Sequence, residues 1–258
     1  MKSNRIVVAG LAWLVLGGLP GCVTEDPGAR QEGSIDDAAL LNAQLGIEYM
    51  RQGNLKAGQE KINKALEQNP RTAETQMAAG LLYDRLGEDN KAQEHFEKAL
   101  RYGPKNPDVL NNFAVFLCRK GDKARGVGYF LEAASSPLYA TPQAAYTNAG
   151  YCALGDGRPQ DAEVYFRQAL SYNQNLAGAL LPMAEIYHEM GNNLQARAFL
   201  QRYLALAPAD AQVLWLGYRI ERAMGDTANA QAYAQRLKKE YTTSVQTRDL
   251  LRVEQGQQ

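Results

Sequence analysis

A glycine that recurs at an almost constant interval restricts the fold of this chain more than any other feature. The successive spacings are 34, 34, 36, 34 and 34 residues. The six positions are Gly53, Gly87, Gly121, Gly157, Gly191 and Gly225. A period of this length is typical of an array in which each repeat packs only on its neighbours. The 258 residues are therefore expected to form one extended array rather than one or two ordinary globular domains.

Residues at fixed offsets from each glycine predict two helices in every repeat. A first helix precedes the glycine and carries small and aromatic residues, as at Gly80 and Tyr83. A second helix follows it, with small residues at Gly58, Ala92, Gly126, Ala162, Ala196 and Ala230. Larger apolar residues come four positions later, at Ile62, Phe96, Phe130, Phe166 and Leu200, with Ala234 as the weakest member. Small residues let antiparallel helices approach closely, and the larger residues fill the space beside them. This pattern resembles the tetratricopeptide repeat.

The predicted fold is all-α, a tetratricopeptide superhelical solenoid of six helix-turn-helix units within residues 37–244. The units are 39–72, 73–106, 107–142, 143–176, 177–210 and 211–244, and the third has two extra residues in its loop at 135–142. Pro70, Pro104 and Pro208 end three units, where a helix must stop. Residues 245–258 are expected to cap the last helix pair and to fray at their end.

The first 21 residues have the features of a signal peptide. Lys2 and Arg5 precede an uncharged apolar run at 6–19, which is shorter than the roughly 20 residues of a membrane-spanning helix. The run ends in LPGC, which resembles a lipobox, so Cys22 is expected to carry a covalent lipid with acyl chains such as palmitate. An ordinary secretory signal followed by a chance cysteine is the alternative.

The residues after the lipobox indicate where such a lipoprotein would be found. Residue 23 is valine rather than aspartate, which by resemblance to bacterial lipoproteins favours the outer membrane, facing the periplasm. Residues 22–36 are rich in charge, glycine and proline and are expected to form a flexible tether. Ser34, Asp36 and Asp37 are candidate N-caps for the first helix.

Charge and residue inventory argue against several functions. The chain has 28 basic and 28 acidic residues, so a nucleic-acid partner is disfavoured. Its two histidines, His95 and His188, lie on separate helices with no base, ligand or nucleophile pattern around them. Phosphate-loop, metal-ligand and nucleophile-elbow motifs are absent from the sequence. We therefore expect a monomeric non-enzyme with no metal, no small-molecule substrate and no cofactor besides the lipid on Cys22.

The remaining cysteines, Cys118 and Cys152, occupy nearly equivalent places on the first helices of adjacent units. In a compartment that oxidises thiols, a disulfide between them is favoured. It would close a loop of about 35 residues and stabilise the fold by up to roughly 4 kcal/mol on the chain-entropy model. Two free thiols that fill apolar space are the alternative.

Four segments resemble a known family: LNNFAVFLCRKG (110–121), SSPLYATPQAAYTNAGYCALGDG (135–157), ARAFLQRYL (196–204) and LWLGYRIERAMGD (214–226). They are similar to the pilotin-type lipoproteins of type IV pilus biogenesis, the PilF/PilW family. This resemblance implies an outer-membrane lipoprotein that binds the type IV pilus secretin, assists its localisation and multimerisation, and thereby supports twitching motility. A general periplasmic scaffold that organises cell-envelope enzymes is the alternative.

The repeat register also predicts where a partner binds. Positions 2, 5, 9 and 12 of a first helix are expected to face the concave surface. In unit 1 these are Leu40, Ala43, Ile47 and Met50, an apolar stripe that either binds a partner or is covered by the chain itself. Met77 and Leu81 follow in unit 2 beside charged residues, so the groove is expected to become more polar along its length. Asn112 and Asn148 share one offset and could hold a partner's backbone. Ile47→Asp is expected to abolish binding without unfolding the array.

Overall fold

The computed structural model describes residues 27–256, and side chains from residue 35 onward. All regular structure in this part of the chain is helical. The helices are α1 Pro27–Arg51, α2 Leu55–Gln68, α3 Ala73–Arg85, α4 Asp89–Tyr102, α5 Pro107–Lys120, α6 Lys123–Ser135, α7 Pro142–Gly155, α8 Pro159–Tyr172, α9 Ala177–Glu189, α10 Asn193–Leu204, α11 Ala211–Ala223, α12 Thr227–Glu240 and α13 Val245–Glu254. The predicted signal peptide and Cys22 lie outside the described residues.

The first twelve helices form six consecutive pairs, each packed against the next. The first helices of units 2 to 6 start within one residue of the predicted unit boundaries. The predicted all-α solenoid of helix pairs is confirmed. None of the helices between residues 27 and 256 is long and apolar enough to cross a membrane.

The first helix is longer than the repeat pattern indicated. It starts at Pro27, so the prediction of a flexible tether is wrong for residues 27–36, and Ser34, Asp36 and Asp37 are internal rather than N-caps. Proline suits the first turn of a helix because its fixed φ is helical and its missing N–H would have no partner there. The Asp36 carboxylate also accepts a hydrogen bond of 2.6 Å from Asn69 Nδ2, which joins α1 to the end of α2.

The six repeat glycines lie in the turns between the two helices of each unit. Their φ angles run from +70° to +94°, a left-handed conformation that side chains with a Cβ atom rarely adopt. A Cβ atom at any of them would meet nothing within 4 Å. Glycine therefore recurs at these positions because of the backbone conformation and not because of a lack of space.

The core is divided along the chain, as expected for an array. The larger apolar residues of the second helices are buried, from Ile62 in unit 1 to Leu200 in unit 5, and the smaller Ala234 is buried in unit 6. Neighbouring units share clusters: the Phe96 and Phe113 rings of units 2 and 3 lie 5.3 Å apart between centroids. Each unit therefore contributes one face to a core that it could not close alone.

The last helix covers the open end of this core. Leu250 of α13 is fully buried with the side chains of units 4 to 6. Thr247 Oγ1 donates a hydrogen bond of 2.7 Å to the carbonyl of Tyr241, and the Ser244 side chain caps the helix by accepting from Thr247 N. The structure thus places a capping helix where the sequence predicted a cap.

Candidate functional site on the first helices

Three grooves lie between first helices of adjacent units. The N-terminal groove, between units 1 and 2 and bordered by Asn112 of unit 3, has a volume of about 230 Å³ and includes Ile47, Met50, Leu81 and Asp84. The central groove, between units 3 and 4, has about 270 Å³ and includes Val115, Cys118, Arg119, Lys123, Tyr151 and Cys152. The C-terminal groove, between units 5 and 6 and α13, has about 490 Å³ and includes Glu185, Glu189, Trp215, Arg219 and Asp249. Each groove offers a different chemistry to a partner.

Several predicted partner residues prove to be part of the core. Ala43, Met50 and Met77 are buried, so the prediction that they contact a partner is corrected. The reason is that positions 5 and 12 face neighbouring helices more than the open surface. Met50, for example, lies against α2 at Gly58, where an added Cβ atom would come within 2.6 Å of Met50 Cγ. Of the three, Met50 also lines the N-terminal groove.

Other predicted residues retain accessible surface. Leu40 is 38% exposed, and Ile47 and Leu81 are half-buried. Leu40 stands two turns before Ile47, so the two side chains lie on the same face of α1. Ile47 also packs against two core clusters, which makes it a wall of the groove as well as a contact surface.

The two asparagines connect neighbouring first helices. Asn112 Nδ2 donates a hydrogen bond of 2.8 Å to the Asp108 carbonyl and lies 3.5 Å from Met77 Sδ. Asn148 Nδ2 donates to Asn111 Oδ1 at 3.2 Å. Both amides therefore have structural partners, and their role toward another protein stays a prediction.

Position 9 of the units forms an apolar stripe that continues beyond the residues predicted in units 1 and 2. It holds Ile47, Leu81, Val115 and Tyr151 in units 1 to 4, and the last two are 44% and 49% exposed. The expectation that the groove becomes more polar along its length is therefore wrong at position 9 of units 1 to 4. The change comes at unit 5, where the residue is Glu185. Extending the register to all six units would have revealed the stripe.

A disulfide forms one wall of the central groove. Cys118 and Cys152 are bonded, with their Cα atoms 5.7 Å apart, and link α5 to α7. A Cβ atom at Gly126 would collide with Cys118 Sγ, so glycine is needed where α6 passes this sulfur. The Lys123 ammonium donates to the Gly155 carbonyl nearby, and the Arg119 guanidinium pairs with Asp84 of the N-terminal groove.

Removing the bridge should weaken the array. The double variant Cys118→Ala/Cys152→Ala is expected to lose up to about 4 kcal/mol in free energy of unfolding, because the unfolded chain regains the entropy of the closed loop. Urea unfolding of oxidised protein and of the variant measures this difference. Reduced wild-type protein is the control and should behave like the variant. A loss below about 1 kcal/mol would show that the bridge constrains little.

Both histidines have structural partners. Burial lowers the pKa of His95, which stacks on Tyr83 and has Nδ1 2.7 Å from Gln76 Oε1. His188 Nδ1 is 2.6 Å from Asn193 Oδ1, and its Nε2 accepts from Arg219 Nε at 3.0 Å. Within residues 27–256, no group of three His, Cys, Asp or Glu side chains could hold a metal ion.

Comparison with known proteins defines the class. Family models described as tetratricopeptide repeat match residues 43–92, 77–145, 153–216 and 210–244. Together they account for most of the helical array. The chain belongs to the tetratricopeptide repeat family.

Within that family, the chain is a homologue of type IV pilus proteins. It is 29% identical to the type IV pilus assembly protein PilF of Pseudomonas aeruginosa over 243 residues, 93% of this chain and 96% of PilF. The solved structure of P. aeruginosa PilF has a TM-score of 0.76 at 27% identity and covers 86% of this chain and 98% of its own. PilW, described as a widely conserved type IV pilus biogenesis factor, has a TM-score of 0.73 at 28% identity, with 83% and 98% covered. The predicted resemblance to the PilF/PilW family is confirmed.

Proposed function

We propose that this protein is an outer-membrane lipoprotein of the pilotin type that assists localisation and multimerisation of the type IV pilus secretin. One observation carries the proposal: the similarity to PilF extends over 93% of this chain and 96% of PilF. Similarity over the whole array favours a shared role with PilF, whereas similarity in the repeat pattern alone would indicate only a shared fold. The LPGC motif at Cys22 supports the lipid anchor.

The first unit and the N-terminal groove are the proposed secretin-binding site. Leu40 and its neighbour Leu41 are both exposed on α1, and the half-buried Ile47 and Leu81 continue the apolar surface into the groove. Full burial of one leucine or isoleucine side chain is worth about 1.5 to 3 kcal/mol. Because association itself has an entropic cost, a few such contacts suit a transient assembly complex.

The protein acts through binding alone in this proposal. The grooves are built of apolar side chains, ion pairs and one disulfide, and both histidines have structural partners. A solenoid with an extended face is suited to hold a segment of another polypeptide. The same face would serve a general envelope scaffold, and the whole-length similarity to PilF and PilW favours the secretin.

The lipid anchor gives a direct test of the proposed location. Cys22→Ser removes the sulfur that would receive the lipid and is expected to leave an uncleaved or soluble periplasmic protein. Fractionation of envelopes should then show less secretin in the outer membrane, and mass spectrometry should show no acyl chains. Ser34→Ala, in the same N-terminal region, is the control and should behave as wild type. A Cys22→Ser protein that is still acylated and outer-membrane bound would contradict the proposed anchor.

A further inference from the structure

The C-terminal groove differs in charge from the other two. Three carboxylates, those of Glu185, Glu189 and Asp249, line it, and Arg219 is the cation among its lining residues. Trp215 contributes an aromatic wall. At about 490 Å³ the groove is large enough for a long side chain of a partner. It therefore combines an aromatic surface with an excess of negative charge.

Glu185 is a half-buried carboxylate of the groove. Burial raises the pKa of its carboxyl above the ordinary value. A hydrogen bond of 3.2 Å from Gln212 Nε2 and the charge of Arg219 oppose this rise, and the charge of Glu189 adds to it. No lysine, arginine or histidine nitrogen in the described part of the chain lies within 4.0 Å of the carboxylate oxygens of Glu185 or Glu189. A partly desolvated carboxylate without an ion pair is unfavourable, and a cation from a partner would relieve this cost.

Arg219 lowers the pKa of the Glu185 carboxyl through its charge but forms no ion pair with it within 4.0 Å. Its Nε donates to His188 Nε2 at 3.0 Å, and His188 is in turn fixed by Asn193. One arginine thus faces three carboxylates in the groove, and this excess of negative charge favours a second cation. Asp249, at the rim, pairs with Arg252 at 3.3 Å and is more than a third exposed, so it contributes mainly through long-range attraction.

Trp215 supplies the second element of recognition. Its ring stacks on Tyr218 with centroids 5.2 Å apart, and the Arg222 guanidinium lies 6.0 Å over that tyrosine. A planar guanidinium stacks on aromatic rings and binds a carboxylate through two parallel N–H donors, whereas an ammonium does so less well. The Trp215 indole and the Glu185 carboxylate, which has no ion pair, line the same groove and are thus suited to bind arginine.

We propose that the C-terminal groove binds an arginine side chain of a partner polypeptide segment, held between Trp215 and Glu185. The apolar stripe at position 9 ends at Tyr151, in the unit directly before Glu185. The partner segment that fits this arrangement has apolar side chains that contact the stripe in units 3 and 4, followed by the arginine that enters the C-terminal groove. This inference does not depend on the identity of the partner as a secretin.

The partner segment can be found in living cells with the full chain. A photo-crosslinking amino acid is placed at Gln246, on the rim of the groove, and the crosslinked peptide is sequenced. We expect adducts with segments that contain an arginine next to apolar residues. Adducts confined to segments without arginine, adducts with a second copy of this chain, or no adduct at all would overturn the proposal.

The recovered peptide then allows a quantitative test. It is synthesised with arginine and with the neutral isostere citrulline, and binding to the mature protein in detergent is followed by the fluorescence of Trp215, the one tryptophan that follows the predicted signal peptide. Citrulline should weaken binding about tenfold, as expected for loss of a charge-assisted hydrogen bond. Glu185→Gln should weaken binding of the arginine peptide by a similar factor. In this variant, replacing arginine with citrulline should weaken binding little further.

A matched carboxylate controls for general charge effects. Glu60→Gln changes an exposed glutamate on the second helix of unit 1 and should leave both affinities unchanged. Equal binding of arginine and citrulline peptides to wild-type protein would overturn the proposal. Such a result would leave the proposed function intact, because that is tested separately at Cys22 and Leu40.

Discussion

Phe166→Ala is expected to lower the free energy of unfolding by about 3 to 5 kcal/mol, because it opens a cavity in a fully buried part of the core. The Phe166 ring belongs to the cluster that extends from unit 4 to the cap, and it meets the Tyr151 ring edge to face at 5.3 Å. Urea unfolding monitored by helical circular dichroism measures the loss. Few side chains in the array should have a larger effect.

Val164→Ala is the matched control for this experiment. Val164 lies on the same helix, is 50% exposed and should change the stability by no more than about 0.5 kcal/mol. Because each unit packs mainly on its neighbours, hydrogen exchange in Phe166→Ala should rise most in units 4 and 5. A loss below about 1 kcal/mol, or exchange that rises equally in all units, would contradict the divided core.

Leu40→Asp is expected to remove detergent-resistant secretin multimers and stop pilus-dependent motility while the array stays folded. A charge in the proposed contact would have to be desolvated without a partner, which costs more than the lost apolar burial. Leu40 is 38% exposed, so the free protein can hydrate an aspartate there. Helical circular dichroism should match wild type, and the multimers should be measured by gel electrophoresis of outer membranes.

The structure changes the choice of variant. Ile47→Asp was expected to preserve the fold, but Ile47 is half-buried against two core clusters, so an aspartate there would also destabilise unit 1. Leu194→Asp, at a leucine 68% exposed on α10, is the control for Leu40→Asp and should leave multimers unchanged. Normal multimers in a folded Leu40→Asp protein would exclude this face of unit 1 as the binding site.

The fold could be predicted from the sequence because each unit repeats the same turn glycine and the same buried positions. Glycine is required for the left-handed turns, with φ near +74° at Gly87 for example, and these turns set the period. Buried residues such as Phe96 and Phe130 recur at one offset from it. Both signals are local, so each unit predicts the same helix pair independently.

The site was less readable because exposure depends on how neighbouring helices approach. Register alone assigned Ala43 and Met50 to the open surface, whereas packing of α1 on α2 and α3 buries them. The sequence did not predict the C-terminal groove, because its lining residues come from α9, α11 and α13 and are far apart in sequence. The early start of α1 was missed because residues 27–36 lie outside the repeat.

Site-specific photo-crosslinking from residue 40 tests the central claim most directly. With the crosslinker at Leu40 in growing cells, the account predicts that the secretin is the main adduct in outer-membrane fractions. The same crosslinker at Leu194 should give little secretin adduct. Adducts from residue 40 that contain other envelope proteins but no secretin would contradict the account and favour a general scaffold.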